Sequence, residues 1–323
     1  MLIVQKFGGS SLADLQRLRR AAGIAAEARR RENQVVLVVS AAGNSTDELL
    51  SLARRILPHP PRRELDALLA TGEQRSAALM AMMLESLGCP ARSFSGTRAG
   101  IHTDGNFGEA AILRVEPEAL RRSLSDGEIA VVAGFQGRSP TGEVATLGRG
   151  GSDTTAVALA AALEAERCEI YTDVDGICTA DPRLIPSARL LREIDSRDML
   201  RLAQAGSQVL HPGSVRLAME KTVPLWLLSS FRAGEGTRVL MLPEERRPPL
   251  AGVTRDEAGS SVTVVGRAAD RALLERLRQE LEHSGIPVRD SRAEEGCVRF
   301  TVAPAQLLPA LELCHRKIVK SEK

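Results

Sequence analysis

An apolar run that stops at a turn of small residues and gives way to a helix-like stretch recurs along the first half of the chain. Leu2–Phe7 runs into Gly8-Gly9-Ser10-Ser11, and the β-branched run Val35–Val39 into Ser40-Ala41-Ala42-Gly43. Ile129–Ala133 ends in Gly134-Phe135-Gln136-Gly137, and Thr146-Leu147 leads into Gly148-Arg149-Gly150-Gly151-Ser152-Asp153. Runs without alternation suit parallel strands buried on both faces. Strands alternating with helices predict an α/β fold with a mainly parallel sheet sandwiched by helices. Ligands of such sheets bind beyond the carboxyl ends of the strands, so the four turns are expected along one rim.

Apolar periodicity predicts helices over about 12–31, 47–57, 154–166, 197–205 and 214–220. Two more, about 63–69 and 73–87, are expected to join at Thr71-Gly72, and 100–108 reads as a polar loop covering a site. Short strands are expected at 91–94, 169–174 and 224–228. The charged, proline-flanked stretch 234–250 reads as a linker. Beyond it, strands at 261–265, 287–289 and 297–302 alternate with helices at 270–283 and 305–318. That is a small ferredoxin-like α+β order without a clear last strand. The expected division is therefore 1–233, a linker over 234–250, and a second domain over 251–323, in keeping with 323 residues.

Bulk properties narrow the class. A formal net charge of +2 and 2% aromatic residues argue against nucleic acid as a partner. No apolar run reaches the roughly 18 residues that span a membrane, and the chain starts on a strand-like segment with no signal peptide. Cys89, Cys168, Cys178, Cys297 and Cys314 are odd in number and scattered, which fits reduced thiols in the cytoplasm and no metal cluster.

The stretch Thr146–Thr155 has the form of an anion cradle. Backbone N–H groups converge at a glycine-rich helix start, and the helix dipole adds about half a positive charge. Arg149 offers a planar fork for a carboxylate or phosphate. An ordinary capped helix after a flexible turn would look the same. Lys6 stands out because it is the only lysine in the first 220 residues of a chain that otherwise uses Arg. A compact ammonium is favoured there where a point charge is needed. Neither G-x-x-x-x-G-K-[ST] nor G-x-G-x-x-G is present, so phosphate binding falls to the turns themselves.

Lys6-Phe7-Gly8-Gly9-Ser10-Ser11, Val39–Gly43, Thr71-Gly72-Glu73, Leu147–Thr155, Tyr171–Gly176 and Thr179-Ala180-Asp181-Pro182-Arg183 occur in this order. Together they resemble the aspartate kinases of the amino acid kinase family, over roughly residues 2–231. The resemblance implies the amino acid kinase fold with a C-terminal ACT-like domain. It also implies ATP-dependent phosphorylation of the β-carboxylate of L-aspartate, the step that opens lysine, threonine and methionine synthesis, with ATP and Mg²⁺ as cofactors. By similarity, Lys6 and Asp153 are catalytic, Asp153 as the group that orients Lys6 or the metal shell. Ser40, Thr46, Glu73, Arg149 and Ser152 would hold aspartate. Lys6, Gly8, Gly9, Ser10, Gly150, Gly151, Thr172, Asp173, Asp181 and Arg183 would hold ATP. The chemistry agrees: a carboxylate is ionised at neutral pH and needs no base, so the obstacle is charge repulsion in the transfer.

The histidines are given no catalytic part, His211 being read as structural and His59, His102, His283 and His315 as loop or surface residues. Gln208, Gly213, Cys178, Trp226 and Leu228 depart from common family positions, as does Ala268–Arg271, where an Asp-x-Pro-Gly turn is usual. With one ACT-like unit, feedback regulation is expected to be reduced or absent, and the unit, with its Leu-rich last helix, to serve homodimerisation. Two other readings stay open at this point: a kinase for another amino acid carboxylate, and a silent amino-acid-binding subunit.

Overall fold

A computed structural model describes residues 1–321. In chain order its strands and helices are β1 (Leu2–Phe7), α1 (Leu15–Arg30), β2 (Gln34–Val39), α2 (Ser45–Ile56), α3 (Arg62–Ser86), β3 (Ala91–Phe94), β4 (Ile101–Thr103) and β5 (Ile112–Val115). Then come α4 (Glu118–Ser125), β6 (Ile129–Ala133), β7 (Gln136–Arg138), β8 (Val144–Thr146), α5 (Gly151–Ala162) and β9 (Arg167–Thr172). β10 (Glu193–Asp195), α6 (Ser196–Gln204), α7 (Pro212–Glu220), β11 (Leu225–Ser229), β12 (Thr237–Leu240), β13 (Gly252–Asp256) and β14 (Ser261–Val265) follow. The chain closes with α8 (Arg271–His283), β15 (Asp290–Glu294), β16 (Cys297–Thr301) and α9 (Leu307–Ser321). Contacts divide it into two compact units: residues 1–175 with 217–234, and residues 176–216 with the chain from Glu235 onward.

In the first unit the parallel sheet runs β11-β9-β1-β2-β6-β3. Register aligns Phe7 with Val39 and Tyr171, and Val39 with Ala133. Three of the predicted turns therefore leave the sheet along one rim. The fourth follows β8 of a small separate sheet, β5-β4-β7-β8, and leads into α5, which packs on β1, β2 and β9. Strand parity sorts the side chains of β1. Ile3 and Phe7 join α1 and α3 in one apolar cluster. Val4 and Lys6 take the other face, under α5. Each fully buried aliphatic side chain there contributes about 1.5–3 kcal/mol. α5 is buried on nearly every side, which its Ala-rich sequence permits without a polar stripe.

Several expectations need correction. Thr71-Gly72 does not separate two helices; α3 is continuous. A Cβ on Gly72 would stand 2.9 Å from the Ala41 Cβ, so this glycine serves close approach, not a break. The loop expected at 100–108 carries β4. α5 begins at Gly151, three residues before the predicted start, with Gly150 left-handed at its N-cap (φ +69°).

In the second unit, β10 and β12 pair in parallel. The separate sheet β13-β14-β16-β15 is antiparallel throughout and is packed by α8 and α9. In a ferredoxin-like order a final strand would pair with the first; here β13, which precedes β14, holds that place. The strand expected at 287–289 forms instead at Asp290–Glu294. The stretch read as a linker carries β12 and a short 3-10 turn, Glu244–Arg246. Glu244, Glu245 and Arg246 stay exposed, but Arg247 is 7% exposed and bonds Asp198 at 2.8 Å and Glu244 at 2.9 Å. The apolar side of α9 is consumed by the core of its own unit, where Leu311, Cys314 and Ile318 pack with Leu277, Val264 and Phe300. That side of the helix is not open for dimerisation.

Candidate active site

Parity points Lys6 at the first turn of α5, and its Nζ lies 2.6 Å from Asp153 Oδ1, both side chains being largely buried. The helix start is a region of positive potential, so Asp153 is favoured there and offsets repulsion between that end and the ammonium. Gly8 overhangs the pair. Its N–H points at the Tyr171 carbonyl (3.4 Å), and a Cβ on it would stand 3.6 Å from Lys6 Nζ. Gly9 and Gly151 are glycine for a different reason: a Cβ on Gly9 would meet the Ala41 carbonyl at 2.6 Å, and one on Gly151 would meet Phe135 and Leu147 below 3 Å. Ser10 is exposed, and its carbonyl accepts from Arg17.

Glu73 enters from the middle of α3. Oε1 accepts the Ala41 N–H at 3.1 Å, while Oε2 is buried with no partner among the described residues. Desolvation pushes its pKa up to about 7, against the smaller opposing effect of the Ala41 hydrogen bond. The site thus contains a buried carboxyl oxygen with no donor of its own. Ser152, in the first turn of α5, is 8% exposed; its Oγ lies where a Cβ on Gly134 would come within 2.8 Å. Ser40 and Thr46 are half-buried near the end of β2 and the start of α2. Arg149 is exposed at the glycine turn and makes no ion pair among the described residues.

Thr172 Oγ1 donates to Asp173 Oδ1 at 3.1 Å at the end of β9. Asp181 and Arg183 belong to the second unit and bond one another through both carboxylate oxygens, the shortest contact 2.8 Å. That pairing holds the Asp181 carboxyl below its usual range. His211 Nδ1 accepts the Gly213 N–H at 3.2 Å, a structural use that suits its expected role. His315 is not a surface residue: it is 1% exposed and shares a hydrogen bond with Thr179 at 2.9 Å. Trp226 lies under the Arg167 guanidinium, 4.5 Å from its ring centre, which gives this departure a cation–π partner.

Two features escaped the sequence. Ser11, buried beside the chosen Ser10, meets Ser230 Oγ at 2.7 Å, and Ser230 bonds the Thr172 carbonyl at 3.0 Å. This chain ties the β1 turn to the ends of β9 and β11, across a separation of 219 residues that no local pattern reveals. Phe135 sits at φ +68°, unusual for a bulky residue, with its N–H on Thr155 Oγ1 at 3.1 Å. Among the described residues no group of three or more His, Cys, Asp or Glu could hold a metal by itself.

A parallel sheet with a lysine–aspartate pair at its carboxyl rim, under a glycine turn and on the same rim as a buried acid, has the make-up of a phosphotransferase-type site. The model of the amino acid kinase family matches residues 1–229, and the chain belongs to that family. Aspartokinases are among its relatives there. The aspartokinase of Thermus thermophilus is 46% identical over 287 residues, covering 89% of this chain and 71% of its own. The aspartate kinase structure from Synechocystis superposes with a TM-score of 0.68 at 38% identity, over 97% of this chain and 54% of that one. E. coli aspartokinase III, solved with aspartate and ADP, gives a TM-score of 0.70 at 26% identity, over 98% of this chain and 84% of that one.

Proposed function

We propose that this chain phosphorylates the β-carboxylate of L-aspartate with ATP, giving 4-phospho-L-aspartate and ADP. The observation that carries the reading is the Lys6–Asp153 pair under the Gly8 turn, on the same rim as the unsatisfied Glu73. A β-carboxylate oxygen attacks the γ-phosphorus, the bond to the β,γ-bridging oxygen breaks, and its electron pair leaves with ADP. No proton has to be removed from the nucleophile. Lys6 offsets charge on the transferring group, and Asp153 holds that ammonium in place. Glu73 Oε2 supplies the missing counter-charge for the α-ammonium of the substrate. Arg149, free at the turn, suits its α-carboxylate, with Ser40, Thr46 and Ser152 around it.

Gly8, Gly9, Ser10, Gly150 and Gly151 are the proposed phosphate contacts; Thr172, Asp173, Asp181 and Arg183 the proposed nucleotide contacts. Asp153, the carboxylate that pairs with Lys6, would hold Mg²⁺, and a single carboxylate suits an ion that takes its other ligands from phosphates and water. When bound, the ion would spread the negative charge of the nucleotide's phosphates. The exposed edge strand β15 supports a homodimer through the ACT-like unit. Reduced feedback by lysine or threonine is supported by Asp270, which replaces part of the usual turn and is engaged in capping α8 through the Leu273 N–H at 2.9 Å.

The test uses purified protein, MgATP and single amino acids, with acyl phosphate trapped by hydroxylamine. Hydroxamate from aspartate is expected. None from aspartate overturns the reading, and product from glutamate alone reassigns the substrate.

A further inference from the structure

A cavity of about 470 Å³ lies between α1 and strands β1 and β9, on the face of the sheet opposite Lys6. Its floor is polar. Glu169, 4% exposed, accepts from Gln5 Nε2 at 2.8 Å, the Tyr171 hydroxyl at 3.0 Å and Arg167 Nε at 2.7 Å. A carboxylate only accepts, so it fixes the Gln5 amide with Nε2 toward itself. That leaves Gln5 Oε1 without a donor among the described residues, on a side chain that is 1% exposed and lines the cavity. Such an acceptor is costly to bury unless something enters to donate to it.

Gly23 is an independent sign. It stands in the middle of α1 and lines the same cavity, yet a Cβ there would meet nothing within 4 Å. Neither packing nor backbone conformation calls for glycine at this position, where it weakens a helix. What glycine leaves is room for a group to approach the helix backbone. The mouth carries exposed Arg20, which donates to the Phe231 carbonyl at 3.2 Å, and exposed Arg31, paired with Glu27 at 3.1 Å; the three leave an excess of one positive charge, and Ile24 and Ala28 give the mouth apolar sides.

We infer that this cavity binds a small anion that also carries an N–H or O–H donor. The donor end reaches Gln5 Oε1, and the anionic group lies between Arg20 and Arg31. An amide-bearing carboxylate is the simplest molecule of this kind. Bound there, it touches Tyr171, whose ring stacks on Phe7 with centres 4.6 Å apart and whose carbonyl faces the Gly8 N–H. The ligand thus rests behind the turn that overhangs Lys6.

The probes are N-acetylglycine and succinamate at millimolar concentration, followed by protein-observed NMR and by crystal soaking. Propionate, which lacks the donor, and N-methylacetamide, which lacks the charge, are the controls. Both probes are expected to bind in the cavity, each control at least about tenfold more weakly. Gly23→Leu fills the space and is expected to abolish that binding, and Arg31→Ala to weaken it, while hydroxamate formation from aspartate stays near the parent rate. Water alone in the soaked cavity, equal binding of the controls, or probe binding that survives Gly23→Leu overturns the inference. Hydroxamate formation is read separately, so failure here is distinguishable from failure of the kinase reading.

Discussion

Glu73 is under strain of an electrostatic kind before any substrate arrives. Its folded pKa, about 7, lies above the unfolded value of 4.5. Its contribution therefore favours folding below pH 4.5 and is lost as pH rises through about 7. Glu73→Gln keeps an acceptor for the Ala41 N–H, and it is expected to raise stability at pH 8 by on the order of 1–3 kcal/mol. The same change is expected to raise the aspartate KM by at least about tenfold, because the ammonium loses its counter-charge. Thermal melts at pH 5 and pH 8 with aspartate titrations check both; equal melting shifts at the two pH values would remove Glu73 from this account. In the parent protein the aspartate KM should rise by about tenfold per pH unit below pH 7, since the binding form of Glu73 is ionised. Lys6→Ala is expected to lower kcat by about 10²–10³ with aspartate affinity retained, as for loss of one preorganised charge on a transition state. Steady-state rates beside calorimetric aspartate binding separate the two effects.

At the level of elements, the long apolar runs were legible because they are long: β1, β2, β6 and β9 lie where alternation with helices put them. The short strands β4, β5, β7 and β8 were not, since three or four residues carry no period to read. Gly72 misled for a physical reason, because local sequence does not distinguish a helix-breaking glycine from one that admits a neighbouring turn. Gly72→Val is expected to push α3 away from Ala41, cost about 1–3 kcal/mol, and raise the aspartate KM more than the ATP KM. Melting temperature and the two KM values measured on one preparation decide it. Gly23→Ala should do the reverse to stability and add about 0.5–1 kcal/mol, since its Cβ meets nothing. Of the site, Lys6 was legible through the scarcity of lysine. Gln5 and Ser11 were not, because their partners Glu169 and Ser230 are 164 and 219 residues away.

On the scale of the whole molecule, the core of the second unit is assembled from two stretches of chain. Ala180 and Ile185 pack in the same cluster as Val264, Leu277, Phe300 and Leu311. Asp198, whose carboxyl burial pushes upward, is held by Arg201 from its own helix and by Arg247 from within the expected linker. A fragment of residues 251–323 lacks these partners. It is expected to bind a hydrophobic dye and to exchange its amides faster than the same residues in the full chain, which mass-detected hydrogen exchange reads directly. Arg247→Met is expected to destabilise the full chain by up to about 3–5 kcal/mol, because it removes the closer of the two cations that hold the buried Asp198.

The two consecutive residues Gln5 and Lys6 give β1 a property that no substitution tests. Side chains two apart share a face, so the strand works like a zipper whose teeth alternate between two unrelated tasks. Loss or gain of a single residue within Leu2–Phe7 would carry the ammonium under α1 and the amide under α5, emptying both places at once. An insertion or deletion is therefore expected to be tolerated in the turns and not within the strand, where each tooth must keep its side.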